Sequence, residues 1–198
     1  MKIHKNCAEK GRISGIWTLA VSLCAILTAC KPAADPVESK VAEVTPVLLC
    51  GDDGYLNGDL YGAVRGRFEL DSTGVTCEGM PRPEGVGARL RFAGKAQPGD
   101  RQIAIIIALP DFSIEAMDVE LPANVTLIEE GNGTFYSTPD LDNCLVEVSS
   151  VAATRDSETR FSVTGGLYCV SPLPEVNGDS SVSVSELRFS GLLDWTVQ

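Results

Sequence analysis

The stretch NCLVEVSSVAATRDSETRFSVTGGLYCV, residues 143–170, decides the fold. Its arms, 143–154 and 158–170, alternate apolar and polar side chains with the period of two that belongs to strands, and Asp156-Ser157 between them is turn chemistry. Laid antiparallel so that paired residue numbers add to 313, the arms set Val146 against Leu167, Val148 against Gly165, Ser150 against Val163 and Ala152 against Phe161. The same register brings Cys144 opposite Cys169. Opposed antiparallel positions lie about 4.5–5.5 Å apart at Cα, within reach of a disulfide. Four cysteines, Cys50, Cys77, Cys144 and Cys169, allow three connectivities; the hairpin selects Cys144–Cys169 and leaves Cys50–Cys77 by elimination. A metal site of four thiolates is the rival use of these residues, and no close Cys-x-x-Cys pair supports it.

Outward from the hairpin the chain continues in strands. Leu60, Val64, Phe68 and Leu70 alternate with Tyr61, Arg65, Arg67 and Glu69, which predicts one half-buried strand. Ala88, Leu90 and Phe92 alternate with Arg89, Arg91 and Ala93 in a second. Residues 103–109 are apolar on both faces and predict a central strand, reached through the turn residues 94–100. Further strands are expected over 124–130, 134–138 and 181–196, the last after Asn177-Gly178. There the apolar positions are even at Val182 and Val184 but odd at Leu187, Phe189, Leu193 and Trp195, so a one-residue bulge is expected near Ser185-Glu186. The best helical candidate is the short stretch 112–117. The class is all-β, an antiparallel two-sheet β-sandwich, with a lipocalin-like closed barrel as the alternative.

The N-terminus carries a different message. Lys2, Lys5, Lys10 and Arg12 precede the uncharged run 13–29, the layout of an export signal. Leu27-Thr28-Ala29-Cys30 then resembles the lipobox of bacterial lipoprotein precursors; Cys24, preceded by Leu23, does not fit that pattern. The resemblance covers residues 1–30 and implies a signal peptide over 1–29, cleavage before Cys30, and acyl chains such as palmitate on Cys30 as a membrane anchor. For a Gram-negative source it also implies, from Lys31 where inner-membrane lipoproteins often carry Asp, the outer membrane, at its periplasmic face or surface. Residues 30–47 hold three prolines and read as a tether that reaches about 50 Å if extended, leaving 48–198 as the folded domain.

Charge and histidine content narrow the function. The chain holds 16 basic and 27 acidic residues, a net charge of −11, and lacks the basic footprint of a nucleic-acid binder. Cleavage before Cys30 takes away four basic residues, Glu9 and the sole histidine, His4, so the mature chain carries −14 and no imidazole. That excludes a Ser–His–Asp triad, a Cys–His pair and a histidine zinc site. The expectation is a non-catalytic binding or structural component of the cell envelope, meeting an envelope protein or polysaccharide and needing no cofactor. The alternatives are a carboxylate-dependent hydrolase of envelope polymers and a barrel carrier of an apolar ligand.

Two candidate sites follow. Residues 65–101 carry a net +2 while 102–198 carry −12, and Arg65, Arg67, Arg89 and Arg91 would form an anion-binding or partner patch if their strands were neighbours. Pairing of each arginine with a carboxylate of the same sheet is the competing expectation. Asp52, Asp53, Asn57 and Asp59 offer the oxygen chemistry calcium prefers, without the spacing of an EF-hand loop; Asp140 and Asp142 form a second acidic cluster. Tyr55, Tyr61 and Tyr136 are the candidates to stack on a sugar, Trp195 having the parity of a core residue. In a bacterial lipoprotein, which the lipobox resemblance implies, the sequons at Asn124 and Asn132 are chance matches.

Overall fold

The computed structural model describes residues 50–83 and 86–196; the signal stretch, Cys30 and the tether lie outside them. Twelve strands follow in order: β1 Tyr55–Gly62, β2 Gly66–Leu70, β3 Thr76–Pro81, β4 Ala88–Ala96, β5 Arg101–Leu109, β6 Val119–Glu129, β7 Thr134–Ser137, β8 Cys144–Ala153, β9 Arg160–Cys169, β10 Leu173–Pro174, β11 Ser181–Val184 and β12 Leu187–Asp194. One 3-10 turn, Leu141–Asn143, is the only other regular element among the described residues. The stretch 112–117, expected as a short helix, is irregular: Phe112 is buried, but Ile114 and Met117 are exposed, so it has no apolar face to dock.

All pairings are antiparallel, in the order β10-β11-β1-β12-β9-β8-β6-β5-β4-β3, with β2 on β1 and β7 on β6. The long strand β6 turns the corner between two layers, since Val119–Ala123 pair with β8 and Asn124–Glu129 with β5. Pro122, which cannot donate a ladder bond, falls where β6 pairs with β8 and not yet with β5. The layers press their apolar faces together: Leu90, Phe92, Ile103, Ile105, Ile107 and Leu127 meet Leu56, Leu60, Val163, Leu167, Phe189 and Leu193, all 1 % exposed or less. Phe92 and Phe189 join the layers with ring centroids 5.2 Å apart. Each such side chain contributes about 1.5–3 kcal/mol, so the strands are held by this shared interior rather than by their ladders alone. The sheet ends at β3 and β10 and does not close, and side chains fill the space between its layers; the closed-barrel alternative is therefore corrected to the sandwich.

Both disulfides pair as the register requires. Cys144 and Cys169 are directly opposed across β8 and β9, and Cys50 is joined to Cys77 on β3. The hairpin keeps the 313 register only as far as Val148–Gly165; Ser149 is an extra residue, so Val163 faces Val151 and Phe161 faces Ala153. Two successive serines, 149 and 150, break the alternation where the bulge occurs. The expected bulge at Ser185-Glu186 is present. Leu60 faces Val184 but Asn57 faces Arg188, one residue more on the second strand, and the Ser185 hydroxyl fills the gap by bonding the Asp59 N–H and C=O at 2.9 Å each.

The single strand expected over residues 60–70 is instead a hairpin, β1 and β2, turning through Ala63–Arg65. Its register sets Leu60 against Gly66 and Leu56 against Leu70, so even positions oppose even positions. Alternation therefore survives the turn unaltered, with Leu56, Leu60, Val64 and Phe68 all buried, and the pattern alone cannot reveal it.

Candidate functional site

Outward-facing residues of β1 and β2 build one exposed groove. Asn57, Asp59 and Tyr61 alternate with the core-facing Leu56 and Leu60, and Arg67 lies directly opposite Asp59. The Arg67 Nε donates to Asp59 Oδ1 at 2.7 Å, and Nη1 to Glu69 Oε1 at 3.4 Å. This partnership, with Asp59 first, raises the Arg67 pKa above its ordinary value and fixes the guanidinium in place.

A second element closes the groove from the other layer. The Arg67 backbone exchanges two hydrogen bonds with Gln97, of 2.7 and 2.9 Å, which hold the Gln97–Pro98 turn against β2. Gly66 permits this approach: a Cβ there would lie 2.8 Å from that of Ala96. Arg101 donates from Nη2 to the Arg65 carbonyl at 3.2 Å and from Nη1 to Glu129 at 3.5 Å, pinning the β1–β2 turn. Two shallow lobes of about 350 Å³ each result. One is lined by Arg67, Glu69, Gln97 and Pro98, the other by Asp59, Tyr61, Arg65, Arg67, Gln97 and Pro98 among others, so they share a middle. Tyr61 is 53 % exposed, and Arg65 makes no ion pair among the described residues.

The four arginines do not form one patch. Between Arg89 and Gln97 the extended β4 runs about 26 Å, and β3, not β2, lies along it from Ala88 to Ala93. Arg91 is tied to Glu130 at 2.5 Å, as the competing expectation of internal pairing has it. The acidic loop is likewise drawn apart: Asp52 and Asp53 sit in the turn before β1 while Asn57 and Asp59 lie on the extended strand, where Arg67 occupies the Asp59 carboxylate. No group of three or more metal-binding side chains gathers among the described residues. Asp140 and Asp142 are exposed, Tyr136 is buried and Tyr55 half-buried, which leaves Tyr61 as the exposed tyrosine of the three. Trp195 packs its ring on Phe112, centroids 5.9 Å apart.

A larger groove of about 700 Å³ lies elsewhere, where β3 passes β12. Asp52, Glu78, Asp156, Asp194 and Arg160 line it, with Ser72 and Thr73. Arg160 stands opposite Asp194 in the ladder and donates to Asp156 at 3.3 Å. The Thr154 hydroxyl, first, and the Arg160 charge hold the Asp156 carboxyl below its usual range. Sequence reasoning missed this groove because its acids come from four distant segments, and it missed Gln97 and Pro98 because they appeared only as turn residues.

No protein-family model, curated protein or solved structure matches this chain. Its function must be argued from these two surfaces and from the disulfides. Two cross-links buried against the core belong to an oxidising, extracytoplasmic compartment. No helix among the described residues is long and apolar enough to cross a membrane.

Proposed function

We propose that this chain is an exported lipoprotein, anchored to a membrane by acyl chains on Cys30, whose β-sandwich is a non-catalytic binding or structural component of the cell envelope. The observation that carries the reading is the succession of a lipobox at Leu27-Thr28-Ala29-Cys30 and a disulfide-stapled domain whose first bridged residue, Cys50, follows within a short tether. An oxidising destination and an export signal are independent features that agree. Several acyl chains at about 0.8 kcal/mol per buried methylene hold a protein stably on lipid, so the domain need not touch the bilayer. In a Gram-negative cell, Lys31 after the anchor favours the outer membrane. Binding is favoured over catalysis because the mature chain has no imidazole. A carrier role loses its basis, since side chains occupy the space an apolar ligand would need.

The test is metabolic labelling of the full chain with an alkyne-tagged palmitate in a bacterial host, followed by membrane fractionation. The wild type takes up label and sediments with the outer membrane; Cys30→Ala does neither. An unlabelled wild type, or label that persists in Cys30→Ala, overturns the anchor.

A further inference from the structure

We infer that the two-lobed groove around Tyr61, Arg65, Arg67, Gln97 and Pro98 is a binding site for a carboxylated polysaccharide, one whose repeat carries a single uronic-acid charge. The inference deepens the envelope-binding reading and rests on it for the compartment in which such a polymer is met.

Shape gives the first argument. Both lobes are shallow and open onto each other across Arg67, Gln97 and Pro98, which suits an extended chain of polar units and not a compact apolar molecule. The lining gives the second. Tyr61 presents an exposed ring to the lobe that holds Arg65, and an aromatic face beside polar groups is what the C–H face of a sugar ring packs on. Glu69, Asp59 and Gln97 supply acceptors, and Gln97 donors, for hydroxyl groups.

Charge gives the third. Arg67 is neutralised by Asp59 and Glu69, so Arg65 is the cation of the groove left without a carboxylate among the described residues. One unpaired guanidinium set among carboxylates matches a polymer with one negative charge per repeat. It does not match a phosphate monoester, whose charge of about −2 would meet Asp59 and Glu69 with greater repulsion. Beside the groove Lys95 is paired with Asp100 and Arg101 with Glu129, so the attraction for an acidic chain is carried by Arg65 itself.

The experiment uses the full chain in detergent micelles and titrates it with a short polygalacturonate fragment, a maltodextrin of equal length and inorganic phosphate. Polygalacturonate should bind, more weakly as salt rises. Arg65→Ala should weaken it about ten-fold or more and Tyr61→Ala about five-fold, while Arg89→Ala, at the far end of β4, leaves it unchanged. Absence of polygalacturonate binding, equal binding of maltodextrin, displacement by phosphate alone, or an equal loss in Arg89→Ala would each overturn the assignment. Labelled Cys30 without polygalacturonate binding removes the site and leaves the anchor; binding by a chain that takes up no palmitate does the reverse.

Discussion

Removing the Cys144–Cys169 bridge tests whether the hairpin or its cross-link holds the centre of the fold. The bridge closes a chain separation of 25 residues, for which loop-closure entropy in the unfolded state gives about 3.5 kcal/mol. The Cys50–Cys77 bridge, with a separation of 27, gives the same figure within error. Their native consequences differ. Around Cys144–Cys169 the ladder continues through Leu145–Tyr168 and Val146–Leu167, so Cys144→Ala/Cys169→Ala should keep the native register and lose stability almost wholly through the unfolded chain. Urea unfolding followed by tryptophan fluorescence, Trp195 being half-buried on Phe112, measures it. With a slope near 2 kcal/mol/M the midpoint should fall by about 1.7 M, and the slope itself should rise as the freed chain exposes more surface. A fall below about 0.5 M would refute the loop-closure reasoning. So would a large fall accompanied by loss of amide protection along β8 and β9 in native buffer, because the bridge would then be holding the folded hairpin together.

Three further outcomes are expected. Gly79→Ala places a Cβ 2.3 Å from the Leu192 carbonyl oxygen and 2.7 Å from the Leu193 Cα, backbone that cannot swing aside, and should cost about 2–3 kcal/mol in urea unfolding; Gly166→Ala, with nothing within 4 Å, should cost under about 0.5 kcal/mol. Ser185→Ala leaves the Asp59 N–H without its acceptor at the β1–β12 bulge, which should cost about 1–2 kcal/mol and speed hydrogen exchange at that amide. Asp71 accepts from the Thr73 hydroxyl and from the Thr73 and Gly74 N–H groups, which holds its carboxyl below the ordinary 3.8. A depressed carboxyl stabilises the fold above its unfolded value and loses that effect as pH falls through the lower folded one, so Asp71→Asn should flatten the stability curve below about pH 4, read by acid titration of unfolding.

What was legible in the sequence is what period-two alternation encodes. The core faces of β1, β2, β4 and β12 follow it, β5 was legible instead as a run apolar on both faces, and the parity change between Val184 and Leu187 located a bulge because a bulge moves the side chains beyond it to the opposite face. The β1–β2 turn was illegible for the converse reason: even positions oppose even positions, and the pattern passes through without a phase change. The corner in β6 was hidden too, because a strand that leaves one layer for another keeps its alternation throughout. For the sites, composition found the cationic segment and picked Tyr61, but which arginines share a surface depends on strand order, and strand order is set by long-range packing rather than by any local signal.

The groove itself arises from a mismatch in strand length. β4 has nine residues and β3 six, so β3 covers the outer edge of β4 from Ala88 to Ala93 and leaves its last turnward residues uncovered. A strand edge can be used once at each position. Along the covered part, Arg89 and Arg91 have β3 and β5 as their ladder neighbours, so the strand that carries Arg67 is not beside them. Past it, β2 catches the chain through the single Arg67–Gln97 pair, and the two lobes of the groove lie on either side of that pair. The same topology that divides the four arginines therefore opens the cleft in which Arg65 is left with Tyr61. Gly94 and Ala96 are buried all the same, Gly94 against Leu70 and Gly74 and Ala96 against Gly66, so the β1–β2 hairpin takes over the edge that β3 leaves, and the turn that carries Arg65 is brought to the groove by that exchange of partners.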